Sequence, residues 1–146
     1  WWVTPGGGID PGETELVAAV RELFEETGLQ ASAHSLIGPI MHRVVVHGYS
    51  DQVLEQAESF YLLRTPRFEL DTSGHTPEEQ LTLDGHSWHR VRDLASLPEP
   101  VWPDCLGRLV ALADAPEEWP WRMGEIEEST VAVVDATAPQ ARKEAR

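Results

Sequence analysis

The sequence predicts an α/β fold in a single domain. Two segments repeat their apolar residues at helical spacing, and several others are rich in the β-branched and aromatic residues that strands favour. The chain has 146 residues, which suits one domain and is enough for a hydrophobic core. We expect residues 1–135 to form that domain and residues 136–146 to form a flexible tail.

The N-terminal part predicts a strand end, a glycine-rich loop and a helix. Residues 1–4 are aromatic and β-branched, whereas residues 5–12 contain four glycines and two prolines. Thr14 is a suitable N-cap for the helix that follows, and Gly28 a suitable stop. Apolar side chains at helical spacing predict one buried stripe on this helix, made of Leu16, Val17, Val20, Leu23, Phe24 and Thr27.

Three later segments have the composition of strands, namely residues 36–47, 59–65 and 81–91. The last contains Trp88, which we expect in the core or at a packed corner. Residues 71–79 are polar, with glycine and proline, and are predicted to be a loop.

A second helix is predicted near the end of the domain. It opens at Pro103 or Asp104, and its apolar residues Leu106, Leu109, Val110 and Ala113 recur at helical spacing. Residues 119–121 and 130–134 are expected to cover the domain edge.

Composition excludes several classes of function. The net charge is −14, from 25 acidic and 11 basic residues, so double-stranded DNA is not expected as a partner. No apolar run approaches the ~20 residues that a membrane span needs. Cys105 is the single cysteine, which rules out an internal disulfide. We expect a cytoplasmic protein that does not enter a membrane.

Three carboxylates stand together on the first predicted helix. At 100° per residue, Glu22, Glu25 and Glu26 lie nearly opposite the apolar stripe. Like charges three and four residues apart repel each other, and the C-terminal end of a helix disfavours anions. A solvated acidic face is the ordinary explanation of such a run.

The glycine-rich loop before this helix favours a second explanation. Consecutive glycines let the backbone approach a ligand closely, and clustered carboxylates suit Mg²⁺ or Mn²⁺, which also bind substrate phosphates. Glu13 and Arg21 would then form a bidentate pair that fixes the loop on the helix.

The spacing of these residues resembles that of the Nudix family. Gly7, Glu13, the run Arg21-Glu22-Leu23, the pair Glu25-Glu26 and the pair Gly28-Leu29 match every specified position of the Nudix box. Weaker similarity extends to residues 2–6 and to Trp88 followed by residues 93–94. The resemblance implies an α/β/α sandwich with a mixed sheet.

The resemblance also implies a function and a site. The function is metal-dependent hydrolysis of a diphosphate linkage in a small nucleoside diphosphate derivative, with Mg²⁺ or Mn²⁺ as cofactor. The metal ligands would be Gly7, Glu22, Glu25 and Glu26, while Glu13 and Arg21 would have a structural role. The candidate catalytic carboxylates are Glu22, Glu25, Glu78 and Glu79, and the general base is either Glu22 or one of the later pair.

Several alternatives stay open at this stage. The domain could be a catalytically idle sensor of a nucleotide or sugar-nucleotide. An isoprenoid diphosphate isomerase ranks lower, because Cys105 is placed late in the chain. The substrates implied by the resemblance range from ADP-ribose-like compounds and dinucleoside polyphosphates to oxidised nucleoside triphosphates and capped RNA ends. Homodimers are common in the family. Family members have strands before the box that this sequence lacks, so we expect an N-terminal segment to be missing from it.

Overall fold

The described fold is a mixed α/β arrangement, seen in a computed structural model. It covers residues 1–48, 53–77 and 79–127. The strands are β1 Trp2–Val3, β2 Leu36–Gly48, β3 Val53–Leu63, β4 Val101–Trp102 and β5 Trp121–Glu127. The α-helices are α1 Glu15–Thr27, α2 Glu79–Thr82 and α3 Leu106–Leu112. Short 3-10 helices lie at Ala33–Ser35, Val91–Ser96 and Pro116–Glu118.

The main sheet has the strand order β3-β2-β5. Strand β3 is antiparallel to β2 and β5 is parallel to it, so the sheet is mixed. Strands β1 and β4 form a separate parallel pair. The predicted α/β class with a mixed sheet is therefore confirmed.

The buried core lies between the main sheet and α3. Ile40 and Met41 of β2 form one buried cluster with Leu109 and Leu112 of α3 and with Ala113, which follows α3. Partly buried residues of β3 and β5 surround it, including Phe60, Leu62, Trp121 and Met123. The predicted helical spacing of Leu109 and Ala113 thus marks a real packing face, although α3 begins at Leu106 rather than at Pro103 or Asp104.

Helix α1 begins and ends where its capping residues predict. The Thr14 hydroxyl accepts a hydrogen bond from the Val17 N–H at 3.3 Å. Gly28 has φ 71°, and its N–H donates to the Phe24 carbonyl. The left-handed conformation at Gly28 is one that glycine adopts without strain.

The predicted burial of the α1 apolar stripe is wrong in part. Val17 and Phe24 are about half exposed, while Ala18, Glu22 and Thr27 are the buried residues of the helix. The reason is that the glycine-rich loop and residues 71–76 pack against the polar side of α1 and against its end. Periodicity identifies an apolar face, but the neighbouring elements decide which face is covered.

The predicted strand at residues 81–91 is also wrong. Within the described residues this region holds the end of α2, an irregular stretch at 83–90 and the start of a 3-10 helix. No described strand pairs with it, and a strand cannot persist without a hydrogen-bonding neighbour. Trp88 is consequently half exposed rather than core, with its ring edge-to-face with Phe68 at 5.4 Å.

Other predictions about elements agree with the structure in part. The strand end predicted at residues 1–4 contains β1, and the strand predicted at residues 36–47 corresponds to β2. The third, predicted at residues 59–65, is the latter part of the longer β3. Trp121 opens β5, the strand at one edge of the main sheet, and packs with Trp119 against the buried core. Residues 130–134 and 136–146 lie outside the described residues.

Candidate metal and phosphate site

The candidate site lies between the glycine-rich loop and the polar face of α1. Helical geometry places Arg21, Glu22, Glu25 and Glu26 on neighbouring positions of that face. The loop that precedes the helix then folds back against these side chains. Residues that are up to twenty positions apart in sequence are thereby joined by hydrogen bonds.

Arg21 connects the loop to the helix. Its Nε and Nη2 donate to the two carboxylate oxygens of Glu13 at 3.1 and 2.9 Å, and Nη2 also donates to the Gly8 carbonyl at 2.8 Å. The structure therefore brings Glu13 and Arg21 into the expected bidentate pair. The hydrogen bonds from Arg21, with a further one from the Asp10 backbone, lower the pKa of Glu13 below its ordinary value.

The same guanidinium contacts two of the clustered carboxylates. Nη1 donates to Glu22 Oε1 at 2.8 Å and to Glu25 Oε2 at 3.1 Å. Its hydrogen bonds to Glu13 and then to Glu22 raise the pKa of Arg21 above its already high range. One cation thus offsets the repulsion that makes an acidic cluster costly on a helix.

The glycines allow the carboxylates to approach the loop backbone. A Cβ at position 7 would lie 2.5 Å from Glu22 Oε1, which is closer than two such atoms can approach. The Gly6 N–H donates to Glu26 Oε2 at 3.2 Å. The absence of a side chain at Gly7 thus lets the Glu22 carboxylate, whose residue is only 8% exposed, lie against the loop.

The donor atoms at this site suit a hard divalent cation. Carboxylate oxygens and loop carbonyls are the ligands that Mg²⁺ and Mn²⁺ prefer. Within the part of the chain that the structure describes, however, no three acidic, histidine or cysteine side chains are arranged to hold one ion. Arg21 binds two of the three carboxylates in this arrangement. The carboxylates of Glu22, Glu25 and Glu26 fit the chemistry of such an ion. To bind it, Glu22 and Glu25 would have to turn from Arg21 towards the ion.

The loop that was predicted to carry the later carboxylates lies against the end of α1. The Asp71 N–H donates to the Thr27 carbonyl at 3.0 Å, and His75 Nε2 lies 3.1 Å from the Glu26 carbonyl. Glu78 lies outside the described residues, and of Glu79 only the backbone is described, as the first residue of α2. The segment leading to both is therefore beside the acidic helix.

Sequence reasoning did not single out His75, Gly74 or Asp71. A Cβ at position 74 would lie 2.6 Å from the Glu25 carbonyl, so the loop backbone touches the helix end there. Asp71 accepts a hydrogen bond from the Ser73 N–H at 3.0 Å, which closes a local turn. The Asp-Thr-Ser-Gly sequence is a turn signal that could have located this loop, but nothing local indicates its contact with α1.

Two arginines near the main sheet each bind an acidic side chain. Arg43 is buried, and its Nε donates to Glu58 Oε2 at 2.7 Å across β2 and β3. Arg64 is bound to Asp114 at 2.7 Å.

No helix in the described residues is both long enough and apolar enough to cross a membrane.

Comparison with known proteins identifies similar sequences. The family model described as NUDIX domain matches residues 1–112. An RNA pyrophosphohydrolase of Vibrio atlanticus is 32% identical over 127 residues, covering 77% of this chain and 72% of that protein. An RNA pyrophosphohydrolase of Agrobacterium fabrum is 33% identical over 117 residues, covering 70% of this chain and 63% of that protein.

A relative with a different name is similar over a shorter segment of the chain. A putative 8-oxo-dGTP diphosphatase of Bacillus subtilis is 54% identical over 37 residues, a quarter of each chain. The chain spans 63% of the Agrobacterium protein, less than two thirds of its length. No solved structure matches the chain.

Proposed function

The chain belongs to the Nudix family, and from that premise we propose that it hydrolyses a diphosphate linkage in a nucleoside diphosphate derivative with the help of Mg²⁺ or Mn²⁺. The observation that carries the proposal is the packing of Glu22 and Glu26 against the glycine-rich loop. Oxygen donors from a helix and from a loop backbone meet there in one corner of the molecule. On a solvated acidic face Glu22 would be exposed, whereas here it is 8% exposed and its carboxylate lies against Gly7.

Each residue of the site has a proposed role. Glu22, Glu25 and Glu26 bind the metal together with the Gly7 carbonyl, and Glu13 and Arg21 hold the loop on the helix. A bound divalent cation would neutralise the diphosphate and lower the pKa of an attacking water. Glu25 is the most accessible of the three carboxylates that Arg21 binds, since its side chain is 41% exposed, against 11% for Glu13 and 10% for Glu22.

The general base is proposed to come from the later loop. Glu22 is buried, and its Oε1 already accepts a hydrogen bond from Arg21, so it is poorly placed to take a proton from water. The segment before Glu78 and Glu79 lies against the end of α1. One of these two glutamates is therefore the better candidate, and Glu22 is the alternative.

The names of the relatives suggest the first substrates to test. The Vibrio and Agrobacterium relatives described above are both RNA pyrophosphohydrolases, and their similarity extends over 70% or more of this chain. We therefore place an RNA that carries a diphosphate linkage at its terminus first, and an oxidised nucleoside triphosphate second. The net charge of −14 makes local cations, from arginine or bound metal, necessary for either one.

The test is hydrolysis of a panel of such compounds with Mg²⁺, with Mn²⁺ and with neither. Wild type is compared with Glu26→Gln and with a matched control, Glu117→Gln, which removes an exposed carboxylate from a 3-10 helix elsewhere. We expect metal-dependent cleavage that is lost in Glu26→Gln and retained in Glu117→Gln. A folded protein that binds panel members but cleaves none would contradict the proposal and support the nucleotide sensor.

A further inference from the structure

The C-terminal turn of α1 is capped by a segment that is distant in sequence, residues 71–75. The last carbonyls of a helix have no partner within the helix, and the sequence of α1 places no basic residue in its last turn. The Asp71 N–H donates to the Thr27 carbonyl at 3.0 Å, and His75 is hydrogen-bonded through Nε2 to the Glu26 carbonyl at 3.1 Å. Because a carbonyl can only accept, Nε2 carries the hydrogen. Residues 71–75 thus supply two donors to the end of this helix.

The backbone of His75 is held on both sides. Its N–H donates to the Thr72 carbonyl at 3.1 Å, and its carbonyl accepts from the side-chain amide of Gln80 at 2.9 Å. One residue earlier, a Cβ at Gly74 would lie 2.6 Å from the Glu25 carbonyl, so the backbone there packs directly on the helix. A donor whose backbone is already fixed loses little freedom when it binds. The hydrogen bond from His75 to α1 is therefore preorganised.

The carbonyls that residues 71–75 cover include those of two proposed metal ligands. Glu25 and Glu26 lie in the last turn of α1, where helices fray and where the helix macrodipole disfavours anions. The Glu26 carboxylate also accepts from the Gly6 N–H at 3.2 Å, so this residue is held at its side chain by the glycine-rich loop and at its backbone by His75. Contacts made behind a metal ligand orient that ligand and thereby set the affinity for the ion.

We propose that His75 is a positioning residue for the metal site. By binding the Glu26 carbonyl, it holds the last turn of α1 in the conformation from which Glu25 and Glu26 bind a divalent cation. The assignment of these two glutamates as ligands rests on the proposed function. Linkage makes the effect reciprocal, because a docked segment 71–75 that raises the affinity for the ion must itself be docked more firmly once the ion is bound.

The first test measures Mn²⁺ binding to the purified protein by isothermal titration calorimetry. Wild type is compared with His75→Ala, with His75→Gln and with His34→Ala, a control at an exposed histidine in the first 3-10 helix. We expect the Kd for Mn²⁺ to rise roughly 10-fold in His75→Ala, as the loss of a partner behind a metal ligand typically does. His75→Gln keeps an N–H donor at a similar reach and should recover most of the affinity, and His34→Ala should bind like wild type.

A second measurement needs neither metal nor activity. In the metal-free protein, His75→Ala should speed amide hydrogen exchange in residues 25–29 and leave residues 18–22 of α1 unchanged. Unchanged exchange, a wild-type Kd in folded His75→Ala, or no recovery in His75→Gln would each overturn the positioning role.

The two proposals fail in different ways. If the wild type binds Mn²⁺ but cleaves no substrate, the proposed function fails, and the comparison of Kd values still decides the role of His75. If the wild type cleaves its substrate with metal and His75→Ala binds Mn²⁺ as tightly, only the positioning role fails. A folded wild type that binds no Mn²⁺ would overturn both.

Discussion

Arg21 shows how a single side chain can organise an acidic site. It contacts Glu13, Glu22 and Glu25 and the Gly8 carbonyl, so the loop and the helix share one cation. The flat guanidinium suits this role because its N–H groups diverge in one plane, which the ammonium of lysine cannot imitate. In a chain of net charge −14, the guanidinium of Arg21 therefore offsets part of the negative charge of Glu13, Glu22 and Glu25.

The Glu13–Arg21 pair predicts a pH-dependent stability. Because the folded state lowers the pKa of Glu13 from 4.5, the pair stabilises the fold fully above about pH 4.5, and this contribution is lost as the pH falls through the lower folded value. Wild type should therefore be more stable than Glu13→Gln at neutral pH, and the difference should shrink below pH 4.5. Urea unfolding across a pH series measures it.

The control for this prediction is the same substitution in an Arg21→Gln background. Arg21 is the first cause of the lowered pKa, so most of the pH dependence should disappear there. A wild-type difference that stays constant down to acidic pH would show that the pair does not stabilise the fold.

Helix α1 is the element on which the site depends. Its start is fixed by Thr14, and its end by Gly28 together with the loop that contains Asp71 and His75. The caps are local and readable from sequence, whereas the loop contact is not. Capping residues close in sequence therefore mark both ends of α1. The loop that contacts its C-terminal end, where Glu25 and Glu26 lie, comes from a distant part of the chain.

Gly28→Ala is expected to destabilise the protein by about 1–2 kcal/mol, the cost of a left-handed conformation for a residue with a Cβ. The added Cβ would also meet Asp71 Cβ at 2.6 Å and displace the loop. Equilibrium denaturation measures the change. Gly107→Ala is the matched control, because its Cβ would meet nothing within 4 Å inside α3, and it should be neutral or stabilising by roughly 0.5–1 kcal/mol. Equal destabilisation of both variants would refute the conformational argument.

At the scale of the whole molecule, the core and the candidate site are built from different elements. The buried hydrophobic cluster joins β2 to α3 and is surrounded by partly buried residues of β3 and β5. The site is built on α1 and two loops, and it is held by hydrogen bonds and ion pairs. Changes in the core should therefore act on stability, whereas under the proposed function changes at Glu25 and Glu26 should act mainly on metal binding and rate.

Leu109→Ala should destabilise the fold by about 2–5 kcal/mol, as burial of a leucine and the cavity left behind predict. Leu109 is 4% exposed in the main core. The same substitution at Leu81, which is 86% exposed, should change stability by less than about 0.5 kcal/mol. Thermal and chemical unfolding would measure both variants, and comparable losses would show that the core lies elsewhere.

Features that depend on near neighbours in the chain could be predicted from the amino-acid sequence. Capping residues located α1, periodicity located the buried face of α3, and residue spacing brought out the glycine-rich loop with its carboxylates. Features that depend on distant partners became visible in the folded molecule alone. Val17 and Phe24 stay half exposed, residues 81–91 form no described strand, and His75 binds the end of α1. The physical reason is that burial, strand pairing and loop docking are each completed by atoms far away in sequence, which local propensity cannot specify.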